Sequence, residues 1–329
     1  MSAKKRRSLA MASIAALMLA GACGASWAQA DFPSRNIRII APHTPGSSSD
    51  TLARAIADQM SANLKTVSVT VENREGAAGV VAASYVKAAA PDGYTILIVV
   101  PALVFAPLMQ PRPVYDFAKS FTPLVKVAEN PYILFSSAAS PFKTFPEAVA
   151  YAKKNPNKLS YVGAGRGGQP HLGTEVLKKL YGFEAQEVQY KKVSDAVVDM
   201  VAGRMDLFLV NVPPVRAQLA NGTIRAIAVA SDKRLKILPD VPTFAELGKP
   251  FEYSAWFAFV APMGTPQSVV DRLVQEITKA AGSPVVRDKV ENALTGVVSI
   301  EGPQALSKII KSDQETYGKL ITDLRLVAQ

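Results

Sequence analysis

The stretch Tyr161-Val162-Gly163-Ala164-Gly165-Arg166-Gly167-Gly168-Gln169-Pro170-His171-Leu172-Gly173 brings backbone N–H groups, a guanidinium and an imidazole into one short segment. Glycines 163, 165 and 168 fit G-x-G-x-x-G, and Glu187 lies nineteen residues past Gly168. On pattern alone this is a dinucleotide-binding turn. Two other stretches follow the same grammar: Pro42-His43-Thr44-Pro45-Gly46-Ser47-Ser48-Ser49-Asp50 and Glu72-Asn73-Arg74-Glu75-Gly76-Ala77-Ala78-Gly79. Each stands between an apolar run that reads as a strand and a run with helical spacing. A helix start offers unpaired N–H groups and about half a positive charge. Gly46, Gly76, Gly79, Gly165, Gly167 and Gly168 let a ligand oxygen approach the backbone, and Thr44, Ser47, Ser48 and Ser49 add hydroxyls. This is anion-binding equipment made from neutral parts.

Several of these residues carry two readings. Glycine is common in such turns for steric reasons alone. Asp50 reads as a helix N-cap rather than a ligand contact, with Ser49 the other cap candidate. His43 and His171, the only histidines, both fall in these loops; each either meets a ligand or holds its own loop. Arg166 either pairs with a carboxylate or is solvated. Trp256 reads as packing at a crossover in preference to a stacking platform. Catalytic patterns are missing: the chain has no G-x-S-x-G elbow, no H-E-x-x-H and no EF-hand loop. Ser48 and His43 have no identifiable third partner. Two histidines, with Cys23 the only cysteine, cannot build the usual zinc site, so neither a metal nor a cofactor is expected.

The elements around these loops alternate. Strands are expected at Asn36–Ile40, Val67–Val71 and Thr95–Val100, with helices at Thr51–Leu64 and Val80–Ala89 between them. The pattern resumes with extended runs at Phe121–Val127 and Tyr132–Ser136, a helix from Thr144 to Lys154, strands at 158–162, 186–190, 205–210 and 225–230, and helices near 173–180, from the cap Ser194 to Ala202, and at 215–220. A second extended crossing, Phe251–Val260, leads to helices at 267–281, 284–293 and 303–326. This order implies an α/β protein with mainly parallel sheets. Two crossings, one near Glu129-Asn130-Pro131 and one at 251–260, imply two hinged lobes: 31–131 with 256–329, and 132–255. In such sheets ligands bind at the carboxyl ends of the strands, where all of these loops lie.

The first thirty residues read as an export signal. Lys4-Lys5-Arg6-Arg7 precedes an apolar run from Leu9 to Ala22, and Ala28-Gln29-Ala30 fits a small-x-small cleavage rule. The apolar run is short for a membrane span. Arg6-Arg7 hints at twin-arginine export, and Cys23 is an imperfect lipid-anchor match. Loss of residues 1–30 would lower the formal charge from +10 to +6. The remainder has no cysteine and no long basic run, so its core must hold it, and nucleic acid is not an expected partner. A mild positive charge favours anionic small molecules. An exported protein rarely meets free NAD, and Glu187 falls inside its strand, so the dinucleotide reading of the Gly163 stretch is set aside.

Taken together, Pro42-x-x-Pro45-Gly46-x-x-x-Asp50, Glu72-Asn73-Arg74-x-Gly76-Ala77-x-Gly79, Ala90-Pro91-Asp92-Gly93-Tyr94-Thr95, His171-Leu172, Val241-Pro242-Thr243-Phe244-x-Glu246-x-Gly248 and Ala261-Pro262-x-Gly264-Thr265-Pro266 recur in the order of a known family. Over nearly all of the chain after residue 30, the sequence resembles the Bug (TctC-like) receptors, the extracytoplasmic solute-binding proteins of tripartite tricarboxylate transporters. The resemblance implies a type II periplasmic-binding-protein fold with Venus-flytrap closure, a periplasmic monomer, and two integral membrane subunits as transporter partners. It also implies that a small organic carboxylate is held by backbone and hydroxyl donors. In this chain those map onto Thr44, Gly46, Ser47, Ser48 and Ser49 with His43 beside them, onto Gly76, Ala77, Ala78 and Gly79, and onto Gly165, Arg166, Gly167, Gly168 and Gln169 with His171 following. The family places small hydroxyl residues after the strand that ends here at Val100; Pro101 and Ala102 stand there instead. The usual Tyr-Lys-Gly is Tyr190-Lys191-Lys192. An aromatic or short-chain monocarboxylate therefore suits the site as well as a di- or tricarboxylate such as citrate. A sensor that presents its acid to a membrane histidine kinase is the alternative binding role, and a secreted enzyme using the same cleft is the alternative of another class.

Overall fold

Buried apolar runs and helix caps lay out the chain in this computed structural model, which describes residues 32–110, 112–164, 167–190 and 192–326. The expected export segment 1–30 lies outside the described residues, as do Gly165 and Arg166. Residues 35–326 cluster as one compact unit. No described helix is long and apolar enough to cross a membrane.

β1 (Ile37–Ala41) is buried except at Arg38 and ends at Pro42, which cannot donate to a ladder. α1 (Ser48–Leu64) follows the first loop, and β2 (Val69–Asn73) leads through a 3-10 turn at Ala77–Gly79 into α2 (Val80–Lys87). β3 (Thr95–Val99) is buried throughout. It runs almost directly into α3 (Pro101–Phe105), which begins with a proline whose missing N–H is harmless at the first helical position. A 3-10 turn at Ala106–Met109 extends α3. Then come α4 (Phe117–Ser120), β4 (Phe121–Pro131), β5 (Ile133–Ser137), α5 (Phe145–Lys154), β6 (Ser160–Ala164), α6 (Gln169–Tyr181), β7 (Gln186–Tyr190), α7 (Val193–Val201), β8 (Leu207–Val210), α8 (Arg216–Ala220) and β9 (Ile224–Val229). β10 (Ser254–Pro262), α9 (Gln267–Ala281), α10 (Pro284–Asp288), β11 (Val297–Glu301) and α11 (Pro303–Asp323) complete the described chain.

Two sheets result, ordered β11-β4-β10-β3-β1-β2 and β7-β6-β8-β5-β9. Their parallel parts are β3-β1-β2 and β7-β6-β8. Both sheets are mixed rather than mainly parallel. β10 is antiparallel to β3 and β4, and β5 is antiparallel to β8 and β9. These are the strands that carry the chain from the first sheet to the second and back, so they enter each sheet from the opposite end.

Several local expectations are corrected. α1 is capped by Ser47, whose hydroxyl accepts the Asp50 N–H at 3.3 Å, not by Ser49 or Asp50. α6 begins at Gln169, four residues before the expected Gly173, because Pro170 sits comfortably in a first turn. The cap of α7 is Lys192, with Ser194 already helical. The helix expected over 284–293 changes to a π turn at Lys289–Ala293. α3, α4 and β11 had no counterpart in the expected element order.

One core cluster links the two sheets. It joins Phe105 of α3 and Tyr317, Leu320 and Ile321 of α11 to Tyr132, Leu134, Leu209 and Tyr253. Ring contacts run through it: Phe105–Tyr317 at 4.7 Å, Tyr253–Tyr317 at 6.2 Å and Tyr132–Tyr253 at 5.2 Å. Trp256 on β10 is buried, and its indole N–H donates to Asp313 Oδ2 at 2.9 Å. That bond satisfies the reading of Trp256 as packing at a crossover.

Candidate functional site

The first loop is held from within. Asp50 is 2% exposed, yet its carboxylate has partners on every side. It accepts the Gly46 N–H at 2.9 Å, the Asn73 amide at 2.8 Å and the Arg54 guanidinium at 2.9 Å. Asn73 also donates to the His43 carbonyl at 2.8 Å and accepts from Arg54 at 2.9 Å, which ties the loop to the end of β2. Burial alone would raise the Asp50 pKa, but the Arg54, Gly46 and Asn73 hydrogen bonds outweigh it and hold the carboxyl below its usual value. Asp50 is thus not the cap of α1. It is the anchor of the loop. Of the predicted donors here, the Gly46 N–H is spent on Asp50 and the Ser47 N–H on the Thr44 carbonyl at 3.1 Å.

The hydroxyls of this loop divide. Ser47 is the helix cap and lies 3.3 Å from the Ser49 hydroxyl, which in turn sits 2.9 Å from His43 Nδ1. Burial depresses the His43 pKa, with Glu75 only partly offsetting it, so the ring stays neutral and its Nδ1 can accept the Ser49 proton. The Ser48 and Thr44 hydroxyls have no partner among the described residues. With the Ser48 and Ser49 N–H groups, which have no partner inside α1, they form an open donor set.

The second and third loops close against the first. Gly79 has φ 93°, and a β-carbon there would come within 3.0 Å of both Pro42 and Leu103. Only glycine lets the three chain segments meet this closely. Gly76 at φ 129° and Ala77 at φ 47° give the second loop its curl. The Gly79 N–H returns to the Gly76 carbonyl at 2.9 Å. Pro101 is buried and Ala102 half-buried at the start of α3, so the third loop brings apolar surface where hydroxyls were the family expectation. Arg74, beside the second loop, is bound to Glu72 at 2.6 Å and lies over the Tyr85 ring at 3.5 Å.

The fourth loop leaves the second sheet at Ala164. Its first glycine, Gly163, lies inside β6, packed beneath the Glu187 and Gln189 side chains. The Gly167 N–H donates to His171 Nδ1 at 3.0 Å, and His171 is 5% exposed with Nε2 3.5 Å from Glu187 Oε1. His171 therefore shapes the loop. Gly168 precedes α6 as its N-terminal flanking residue. The Gln169 side chain accepts from the Tyr132 hydroxyl at 3.1 Å and donates to the Ser254 carbonyl at 3.4 Å, while its own carbonyl accepts from Tyr253 at 2.8 Å. Gln169 is thereby fastened to the segments that flank both crossings. A β-carbon on Gly167 would collide with the Met109 sulfur, so the first and fourth loops are bridged through the segment Pro101–Met109.

The structure thus gathers His43 to Ser49, Gly76 to Gly79, Pro101 and Ala102 around Gly79, and links them through Met109 to Gly167, Gly168 and Gln169. Asn73, Arg54, Met109, Tyr132 and Tyr253 support the site but were not among the predicted residues. Asn73 stands in the Glu72-Asn73-Arg74 motif, which was a signal. Met109 had none, since its contact crosses from one sheet to the other. Behind the site, a cavity of about 130 Å³ at the crossings is lined by Glu129, Tyr253, Trp256, Asp313 and Tyr317. Burial pushes the Asp313 pKa up to about 6 against the opposing Trp256 hydrogen bond and the Lys126 charge. Among the described residues no group of three or more histidine, cysteine, aspartate and glutamate side chains is placed to hold a metal ion.

Comparison with known proteins supplies the wider context. Residues 52–326 match the model of the tripartite tricarboxylate transporter family receptor. A protein of Pseudomonas sp. (strain P51), the UPF0065 protein in the tcbD-tcbE intergenic region, is 38% identical over 90% of this chain and 88% of its own length. Rpa4515 of R. palustris, solved with adipate, superposes with a TM-score of 0.74 at 32% identity, covering 89% of this chain and 98% of that one. MatC from Rhodopseudomonas palustris, solved with bound malate, gives 0.72 at 27% identity over 88% and 100% of the two chains.

Proposed function

The chain belongs to the tripartite tricarboxylate transporter receptor family, and from that premise we propose that it is an exported receptor that captures a small organic carboxylate and delivers it to integral membrane transporter subunits. The observation that carries this reading is the meeting of three loops at Gly79, on the carboxyl edge of β1, β2 and β3. There the Ser48 and Thr44 hydroxyls and the first turn of α1 offer donors to an anion without a cationic side chain. A neutral-donor site suits reversible capture, because no long charged side chain has to be ordered or stripped of water. The adipate and malate bound to the two solved relatives favour a carboxylate as the anion.

In this reading residues 31–131 with 256–329 form one lobe and residues 132–255 the other, and the receptor closes over its ligand between them. Closure removes water from the anion and strengthens each hydrogen bond to it. Ser49, the hydroxyl paired with His43 Nδ1 at 2.9 Å, is buried, which favours a structural role for that pair and binding over turnover.

A thermal-shift screen of mono-, di- and tricarboxylates is the direct test. A ligand at a hundred times its Kd adds about 2.7 kcal/mol to stability, so a true ligand raises Tm by several degrees, and small-angle scattering of the same complex shows a smaller radius of gyration. A screen in which no acid moves Tm would sink the receptor reading. Chemical change of a bound acid would replace it with an enzymatic one.

A further inference from the structure

The segment Pro101–Met109 touches both ends of the candidate site. Its Leu103 packs on Gly79, and its Met109 packs on Gly167. Every residue from Pro101 to Met109 is apolar. Phe105 is buried, and Ala102, Leu108 and Met109 lie half-buried on the same core as Tyr132 and Leu172. Ala102, Leu108 and Met109 are the members of this segment with surface left open, so a ligand that meets it between the first and fourth loops meets apolar side chains. The two ends of that segment differ. At the near end the Ser48 and Thr44 hydroxyls and the Ser48 and Ser49 N–H groups remain open among the described residues, the Asp50 N–H being taken by Ser47. At the far end the Gly167 N–H is taken by His171 Nδ1 at 3.0 Å, and the Met109 thioether covers the α-carbon.

Resting on the reading of the cleft as a carboxylate site, we infer that Met109 is a specificity-determining residue that closes the far end against a second charge, so that the ligand is an acid with one carboxylate and a compact apolar body. A second carboxylate at Gly167 would lose its water and face sulfur and methyl carbon in return. Methionine suits the opposite case. Its unbranched, polarizable chain adapts to an alkyl or aromatic body and makes favourable sulfur–ring contacts.

Hexanoate and adipate make a matched pair, since both have six carbons and only adipate carries the second carboxylate; benzoate adds a ring. Calorimetric titration of the purified protein should find hexanoate and benzoate at least about tenfold tighter than adipate. Met109→Lys supplies a cation at the far end and should invert the hexanoate–adipate order. Met109→Ala keeps the end neutral and should weaken benzoate and hexanoate several-fold without favouring adipate. Each variant's ligand-free Tm checks its fold, and the wild-type ranking needs no variant at all. Adipate binding to the wild type as tightly as hexanoate overturns the assignment and leaves the carboxylate reading standing, with Arg166→Ala then showing whether Arg166 holds the second charge. An unchanged order in folded Met109→Lys also overturns it. If none of the three acids, nor malate or citrate, binds, the carboxylate reading falls and the assignment with it.

Discussion

The first and fourth loops occupy equivalent places, each between a parallel strand and the helix that follows; the fourth is rich in glycine, whereas the first has Gly46 alone, with three serines after it. They are locked by opposite chemistry. A buried carboxylate, Asp50, gathers the first loop through the Gly46 N–H and the Asn73 and Arg54 side chains. A buried imidazole, His171, holds the fourth through the Gly167 N–H. The first loop spends some N–H groups on its own structure but keeps free hydroxyls facing out. The fourth has no hydroxyl of its own between Gly163 and His171, and Met109 covers Gly167. Two turns in equivalent places can thus present one polar face and one apolar face, and the side chains that consume donors decide which.

Substitutions at the two locks should separate them. Asp50→Ala is the most severe. It strands the Gly46 N–H and the Asn73 amide and frees Arg54, at a cost of about 3 kcal/mol, visible as a lower urea midpoint together with loss of carboxylate binding. His171→Ala should cost less, about 1–3 kcal/mol, because one N–H loses its acceptor. If His171→Ala proves as damaging to stability as Asp50→Ala, the two loops are locked equally firmly and the contrast fails.

A smaller effect follows from pH. Burial depresses the His43 pKa in the folded chain, so the unfolded chain takes up that proton first. The stability tied to neutral His43 is complete above the unfolded value of about 6.5 and declines as pH falls below it. Urea unfolding at pH 7.5 and 5.5 should show this decline, and His43→Gln should reduce it. Ser48→Ala is the mildest for stability, within about 0.5 kcal/mol, because its hydroxyl has no partner among the described residues. Its carboxylate affinity should nonetheless fall several-fold in calorimetry. Unchanged affinity in Ser48→Ala would remove the open donor set from the first loop.

Much of this contrast was written locally. The apolar run Thr95–Val99 announces a strand buried on both faces, and Pro42 through Asp50 announces a turn feeding a helix. The Gly76-to-Gly79 turn was legible because its two glycines mark positions where the backbone takes positive φ. What escaped the sequence was decided by contacts between distant segments. Asp50 looked like a cap because aspartate caps helices; Asn73, twenty-three residues away, and the Gly46 N–H made it an anchor instead. α3 was hidden because its apolar residues continue those of β3 without a break. The Met109–Gly167 contact joins two sheets, and no spacing rule reports it. Gly163 matched a nucleotide pattern while serving as strand packing beneath Glu187 and Gln189.

The strand by which the chain leaves the first sheet and the strand by which it returns are also neighbours. β4 and β10 pair antiparallel from Phe121↔Pro262 to Pro131↔Ser254, with irregularities beside Ala258 and between Phe259 and Val260. For the proposed closure this makes the two linkers a single ribbon rather than two independent tethers. A paired ribbon bends and twists as one body, so the lobes retain essentially one mechanical degree of freedom, and the freedom lost on capture is correspondingly small. Such a receptor would search for its ligand along one coordinate, opening and shutting without wandering.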